Sequence, residues 1–199
     1  MFNFLVLTIL VTISFFINAD EIQLADSHGP ISIMGDHMHK KGELMFSYRL
    51  GKMNMNNVAN GTNKMNTNSV MSSPNGASNN LGNYMNAPIS MKMNMHMFGG
   101  MYAPLDNLTF MIMTSYQEKV MTQQRMPMAG GSRFNINSSG FGDTRISSLI
   151  NIFNNDLAKT HIGTGLSLPT GSIDQRDTTP ASSNTRLGYS MQNGTGTYD

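Results

Sequence analysis

The chain has 199 residues, 20 of them Met, with no Cys, no Trp and a formal net charge of +1. Charged residues make up only 13%, about half the share of an ordinary soluble domain. Near-neutrality without a Lys/Arg cluster excludes an electrostatic nucleic-acid interface, and the lack of Cys excludes a disulfide framework, a thiolate metal site and a Cys nucleophile.

The first segment, MFNFLVLTILVTISFFINA, is apolar from Phe2 to Ile17 and ends in Ala19, followed by Asp20 and Glu21. That stretch falls short of the roughly 20 residues a spanning helix needs. It predicts a secretory signal peptide over residues 1–19, cleaved after Ala19, although its n-region carries only the terminal amine. An uncleaved anchor helix or a buried core helix are the alternatives. Residues 20–41 then form a periplasmic segment ahead of the first strand.

Past that point alternation with period two dominates, which places apolar residues on one face of a strand. In the first run, Gly42 to Asn56, Leu44, Phe46, Tyr48 and Leu50 share one face, and Met45, Ser47 and Arg49 the other. Beyond Gly51 the apolar residues change parity, to Met53 and Met55. A polar stretch near 57–86 predicts a long exposed loop. The second run, Ala87 to Pro104, carries Met91, Met93, Met95 and Met97 at odd positions, with Phe98 and Tyr102 at even ones. Paired antiparallel, the two runs bring their aromatic halves together and their methionine halves together, on opposite faces, because a pleat changes face only at a bulge.

A tight turn at Ala103–Asn107 leads into the third run, where Leu108, Phe110, Ile112 and Tyr116 oppose Met111 and Met113. A loop is expected near 118–139. Run four, Gly140 to Phe153, sets Thr144, Ile146, Ser148, Ile150 and Ile152 against Asp143, Arg145, Ser147 and Asn151. After a short turn near Asn154-Asn155-Asp156, run five sets Ile162, Leu166 and Leu168 against Lys159, His161, Gly163 and Ser167. A third long loop follows near 169–190, and the tail MQNGTGTYD begins a sixth strand. Short and long connections alternate. The expected fold is all-β: an antiparallel up-and-down transmembrane β-barrel with about six strands over 42–199. A soluble periplasmic β-sandwich or barrel is the alternative that shares the same alternation.

Four stretches carry a family resemblance: IMGDHMHKKGELMFSYRL (33–50), MNMHMFGGMYAPLDNLTFM (93–111), SSGFGDTRIS (138–147) and GLSLPTGSIDQRDTTP (165–180). From about Pro30 onward the chain resembles the N-terminal part of the outer-membrane transporter family grouped with the "meta-pathway of phenol degradation" barrels. That resemblance implies a barrel in the outer membrane and passive transport of small solutes, the family label pointing to small aromatic or hydrophobic compounds. The implied partners are membrane lipid, lipopolysaccharide, the outer-membrane assembly machinery and a small-molecule solute. Family members are longer. Six strands are fewer than the roughly eight of known single-chain barrels, and Asp199 stands where barrel chains carry a terminal aromatic, so a truncated product is expected.

No nucleophile elbow, Walker loop or zinc-protease helix motif appears, so a non-enzymatic role is expected. The expected pore-lining residues are Met45, Ser47, Arg49, Met53, Met55, Met91, Met93, Met95, Met97, Met111, Met113, Asp143, Arg145 and His161, with Asp143 and Arg145 as an ion pair. Three readings of the methionines stay open: adaptable filler or lipid-facing surface, a Met-lined vestibule, or a path for a soft cation. Asp36-His37-Met38-His39 offers imidazole and thioether, the donors that suit copper, so His37, Met38 and His39 form a candidate metal group. In Met95-His96-Met97 the pleat turns His96 away from its neighbours. A copper-binding protein of the periplasm or cell surface is therefore the second functional class, and a structural barrel without an open pore is the third.

Overall fold

The computed structural model describes residues 35, 37–74, 82–154 and 159–199. The predicted signal peptide, most of segment 20–41, Asp36 and the turn near residues 154–156 fall wholly or partly outside them.

The protein is all-β and antiparallel. Ten strands are described: β1 (Leu44–Asn56), β2 (Val58–Asn60), β3 (Asn63–Met65), β4 (Asn86–Leu105), β5 (Leu108–Arg125), β6 (Arg133–Phe141), β7 (Thr144–Asn154), β8 (Lys159–Leu168), β9 (Arg176–Thr179) and β10 (Ser182–Arg186). The one described α-helix, α1 (Thr67–Met71), starts at Asn66, whose side chain accepts the Ser69 N–H. The main sheet runs β1-β4-β5-β7-β8, and β6 also pairs with β5. Sequential neighbours lie side by side, the order of an up-and-down meander. The sheet is open among the described residues, ending on β1 and β8.

One of the expected loops is corrected, and two hold short elements of their own. The loop placed near 118–139 is mostly strand: β5 continues to Arg125 and β6 starts at Arg133, leaving a short connection with a 3-10 turn at Pro127–Ala129. Polar residues such as Gln117, Glu118 and Lys119 hid this strand, whose backbone ladder is unbroken from Tyr116↔Phe141 to Gln124↔Arg133. The loop near 57–86 holds the β2–β3 hairpin and α1, and the loop near 169–190 holds the β9–β10 hairpin.

Run four is not a straight strand either. Met113 on β5 pairs with Arg145, and Tyr116 pairs with Phe141. Two residues separate the β5 positions and three separate their partners, so β6 and β7 are one long strand carrying a β-bulge at Gly142–Thr144. The extra residue reverses the parity. On β6 the sheltered residues are Ile136 and Ser138; on β7 they are Ser147 and Leu149.

The chain divides into two compact units. The first comprises residues within Met1–Ser47, Gly99–Met113 and Arg145–Leu166. Its even-numbered strand residues Leu44, Phe46, Tyr102, Phe110, Ile112, Ile146, Ile150, Ile152, Ile162 and Leu166 are all exposed, Phe46 to 72%. Its odd-numbered Met101, Ala103, Thr109 and Leu149 are buried. Most large apolar side chains thus point outward, and Met101, Ala103, Thr109 and Leu149 are sheltered.

The second unit comprises Tyr48–Phe98, Thr114–Thr144 and Ser167–Asp199. Its core joins Met91, Met121 and Ile136 of the sheet to Leu187 and Met191, with Phe134 packed alongside. The β6 edge that faces away from β5 is met by β9: Asn137 donates its backbone N–H to the Asp177 carboxylate at 2.6 Å. At the margin of β8, Ser167 and Asp199 exchange both backbone hydrogen bonds, so the tail joins the sheet at that point, short of a full strand.

Because the bulge sets which face β7 presents, deleting Gly142 should turn Ile146, Ile150 and Ile152 to the sheltered side. Refolding in detergent, followed by the gel-mobility difference between unboiled and boiled samples, should show loss of the folded band in the deletion and its retention in Gly100→Ala. At Gly100 an added Cβ meets Ile112 and Phe46 side chains only at ordinary contact, 3.6–3.7 Å.

Candidate functional site

The methionine rows take the sheltered face. Met91 and Met101 are buried, and Met93, Met95 and Met97 are half-buried, while Lys92, Asn94, Phe98 and Tyr102 on the other face are exposed. A lipid-facing Met row in β4 is therefore not the arrangement found. Gly51 of β1 lies against Met95 and Met97, and Asn57 donates to the Ile89 carbonyl. Between those points Met53 and Met55 run alongside Met93 and Met91, where cross-strand neighbours interact; Met53 and Met55 keep 46% and 36% exposure. Met45, Ser47, Arg49, Met111 and Met113 are half-buried on the sheltered side.

In the first unit the segment before β1 lies on that side. His39 donates its backbone N–H to Thr109 Oγ1, its Nδ1 sits 3.3 Å from Glu43 Oε2, and its Nε2 is buried without a partner. The His37 and His39 rings meet edge to face at 4.9 Å. His161 Nε2 bonds the Gly35 carbonyl at 2.8 Å. The residues 37–43 are bends and turn, not the strand that would have aligned the two imidazoles on one face. Among the described residues no group of three or more His, Cys, Asp or Glu gathers in metal-binding geometry.

The expected Asp143–Arg145 pair does not form. The bulge turns Asp143 toward the 167–199 segment, where it accepts Gly171 N–H at 2.9 Å, Thr195 N–H at 2.7 Å and Thr195 O–H at 2.8 Å. Thr170 Oγ1 accepts the Thr144 N–H beside it. Three donors satisfy the carboxylate without a cation. They also clamp two chain positions, 171 and 195, that are far apart in sequence. Gly171 and Gly194 touch there: a Cβ on Gly194 would stand 2.3 Å from the Gly171 oxygen, and one on Gly171 2.6 Å from the Gly194 Cα. Only glycines allow so close an approach.

Above that neck the segment folds back onto β4, β5 and β6. Lys119, 7% exposed, points its ammonium at the carbonyls of Gln192 (2.5 Å) and Ser190 (3.4 Å). No carboxylate reaches it among the described residues. Gln192 accepts the Gln175 N–H and donates to the Leu187 carbonyl. Met191, 1% exposed in the 3-10 turn Tyr189–Met191, fills the apolar centre. Among the described residues Ser138 Oγ and both side-chain heteroatoms of Asn193 are buried without a partner. Each such group costs about 1–3 kcal/mol, so the segment is firmly tied at its neck and held against a polar cost further along.

Sequence reasoning missed Lys119, Gln192 and Asn193. For Lys119 a signal existed. Met111, Met113, Ser115, Gln117, Lys119 and Met121 continue one odd-numbered row, and a strand that keeps its phase keeps its sheltered face.

No family model, no curated protein and no solved structure matches this chain.

Gly194→Ala should loosen the neck by about 1–3 kcal/mol, the usual cost of overpacking, whereas Gly188→Ala, where a Cβ meets nothing within 4 Å, should be neutral. Asp143→Asn, which gives up one of two accepting oxygens, should weaken it by a similar 1–3 kcal/mol or so. Limited proteolysis within residues 172–193 provides the measurement: faster cleavage in Gly194→Ala and Asp143→Asn, and an unchanged rate in Gly188→Ala.

Proposed function

We propose that the chain belongs to an outer-membrane β-barrel. More particularly, we propose that it forms part of a channel for passive, non-enzymatic passage of small solutes. The observation that carries this is the outward row of the first unit. Every strand there presents Leu, Ile, Phe or Tyr to the surroundings, while Met101, Ala103 and Thr109 on the opposite face are buried. In water that arrangement leaves a large apolar patch uncovered; in a bilayer it is the favourable one.

Strand length agrees. β4 has 20 residues and β5 has 18, against the roughly 9–11 that a spanning strand needs, so part of each strand stands clear of hydrocarbon. Where the outward apolar row gives way, aromatic rings pair: Tyr48 with Phe98 and Tyr116 with Phe141, each at 5.4 Å between centroids. Beyond them the outward positions become Lys52, Lys92, Asn94 and Glu118, all exposed. Aromatic rings followed by charge are the sequence of a hydrocarbon–water interface, and Lys52 and Lys92 stand at the height of lipid or lipopolysaccharide headgroups. Among the described residues no helix is long and apolar enough to cross a membrane; strands are the spanning elements in this proposal, since lipid requires every backbone group to be paired.

The resemblance to the phenol meta-pathway barrels supports the same class and suggests small aromatic or hydrophobic solutes. The sheltered Met rows suit such cargo, because thioether side chains are flexible and polarizable and favour contact with aromatic rings.

Ile112→Arg, on the outward face, should destabilise the membrane-inserted form by about 2–4 kcal/mol, while Met111→Gln, its neighbour on the sheltered face, should leave it nearly unchanged. Urea titration of folding into phospholipid vesicles measures both. Equal tolerance of the two substitutions, or a wild-type chain freely soluble without detergent, overturns the lipid-facing assignment.

A further inference from the structure

We propose that the 172–193 segment is the constriction of the channel, a flap hinged at the Gly171–Gly194 neck and latched over the sheltered face by Lys119. The proposal rests on the pore assignment above and adds what sets passage through it.

Three observations carry it. First, the segment covers a face that a water-filled path would need. Met191 and Leu187 sit against Met91, Met121 and Ile136, on the same side as the sheltered residues of β4, β5 and β6. Second, attachment is uneven. At the neck Asp143 is fully satisfied by Gly171 and Thr195. Where the flap meets the sheet, Lys119 of β5 has carbonyl partners and, among the described residues, no counter-ion, and Ser138 Oγ of β6 and the Asn193 amide of the flap have no partner among those residues. Unpaired buried polar groups are expensive to keep there. Swinging the flap away would return Ser138 Oγ and the Asn193 amide to water, which offsets part of what the Lys119 bonds and the Met191 and Leu187 contacts contribute to the covered state. Third, the neck is built as a hinge. Gly171 and Gly194 are in backbone contact, and glycine supplies the conformational freedom that such a junction uses. Neck and flap thus have separate anchors, Asp143 for one, and Lys119 together with the Asp177–Asn137 hydrogen bond for the other.

The test uses the full chain in planar lipid bilayers. Two variants release the flap: Lys119→Met, which keeps the side-chain bulk and removes the carbonyl bonds, and excision of residues 172–193 with Gly171 joined to Gly194, whose backbones already meet. A Met191→Cys reporter in this cysteine-free chain measures docking independently, through its rate of labelling by a water-soluble maleimide. The expected result is slow labelling and low conductance in the otherwise unaltered chain, with labelling and conductance both raised several-fold by Lys119→Met, and conductance highest after excision. Equal, non-zero conductance in all forms overturns the constriction while leaving the pore standing. Conductance in none of them, excised form included, overturns the pore and the constriction together. Fast labelling of Met191→Cys without any second substitution overturns the latch. Should the excised chain fail to fold, Lys119→Met and the reporter decide the matter alone.

Discussion

The structure depends on one constraint: a β-ladder satisfies its own backbone, which leaves each face free to be matched to a different neighbour. Along β1, β4, β5 and β7 that freedom is used consistently. Leu, Ile, Phe and Tyr take the outward positions, and Met, Ala, Ser and Thr the sheltered ones. Many apolar side chains face away from the packed interior. In the membrane proposed above such a face is favourable, and lipid in turn requires that no backbone N–H or C=O be left unpaired. Alternation and pairing are therefore two results of the same demand.

The bulge at Gly142–Thr144 is where this regular scheme is broken. One inserted residue reverses the faces of a long strand and turns a carboxylate toward the 167–199 segment. Asp143 then gathers donors from positions 171 and 195, and the polypeptide between them is left to fold back on the sheet. The same inserted residue that keeps Ile146 and Ile150 outward on β7 also allows Ile136 and Ser138 to be sheltered on β6. Without it, either the outward row or the apolar contact with Met191 would be lost.

Much of the fold was legible in the sequence because alternation is a direct imprint of the pleat. Leu44–Leu50 and Leu108–Met113 could be divided between two faces by parity alone, and so could Met91–Met97, although which face its methionines take stayed open. The part that was not legible has physical causes. β5 beyond Tyr116 and all of β6 carry Gln, Lys, Thr, Asn and Ser, and polar residues on both faces resemble a loop when the partner strand is unknown. The bulge was hidden because a single extra residue leaves no compositional trace. Asp143 and Arg145, two apart, were expected to pair; the carboxylate instead met backbone and hydroxyl donors 28 and 52 residues on, a relation only the tertiary fold defines. His37, Met38 and His39 were read as a candidate metal group; the two imidazoles instead meet edge to face, and His39 lies beside Glu43.

The Asp177 carboxylate on the Asn137 N–H has a consequence for how the chain meets other chains. Among the described residues β6 forms a ladder with β5 alone, and a row of open donors and acceptors is a template on which another polypeptide can align. A short hairpin from the same molecule sets an anionic side chain against that row. A sheet whose outer surface is greasy and whose margin is also sticky would be prone to clump while crossing water. Here the margin, at least along β6, carries its own guard, and the hazard of premature association is left to the surface alone.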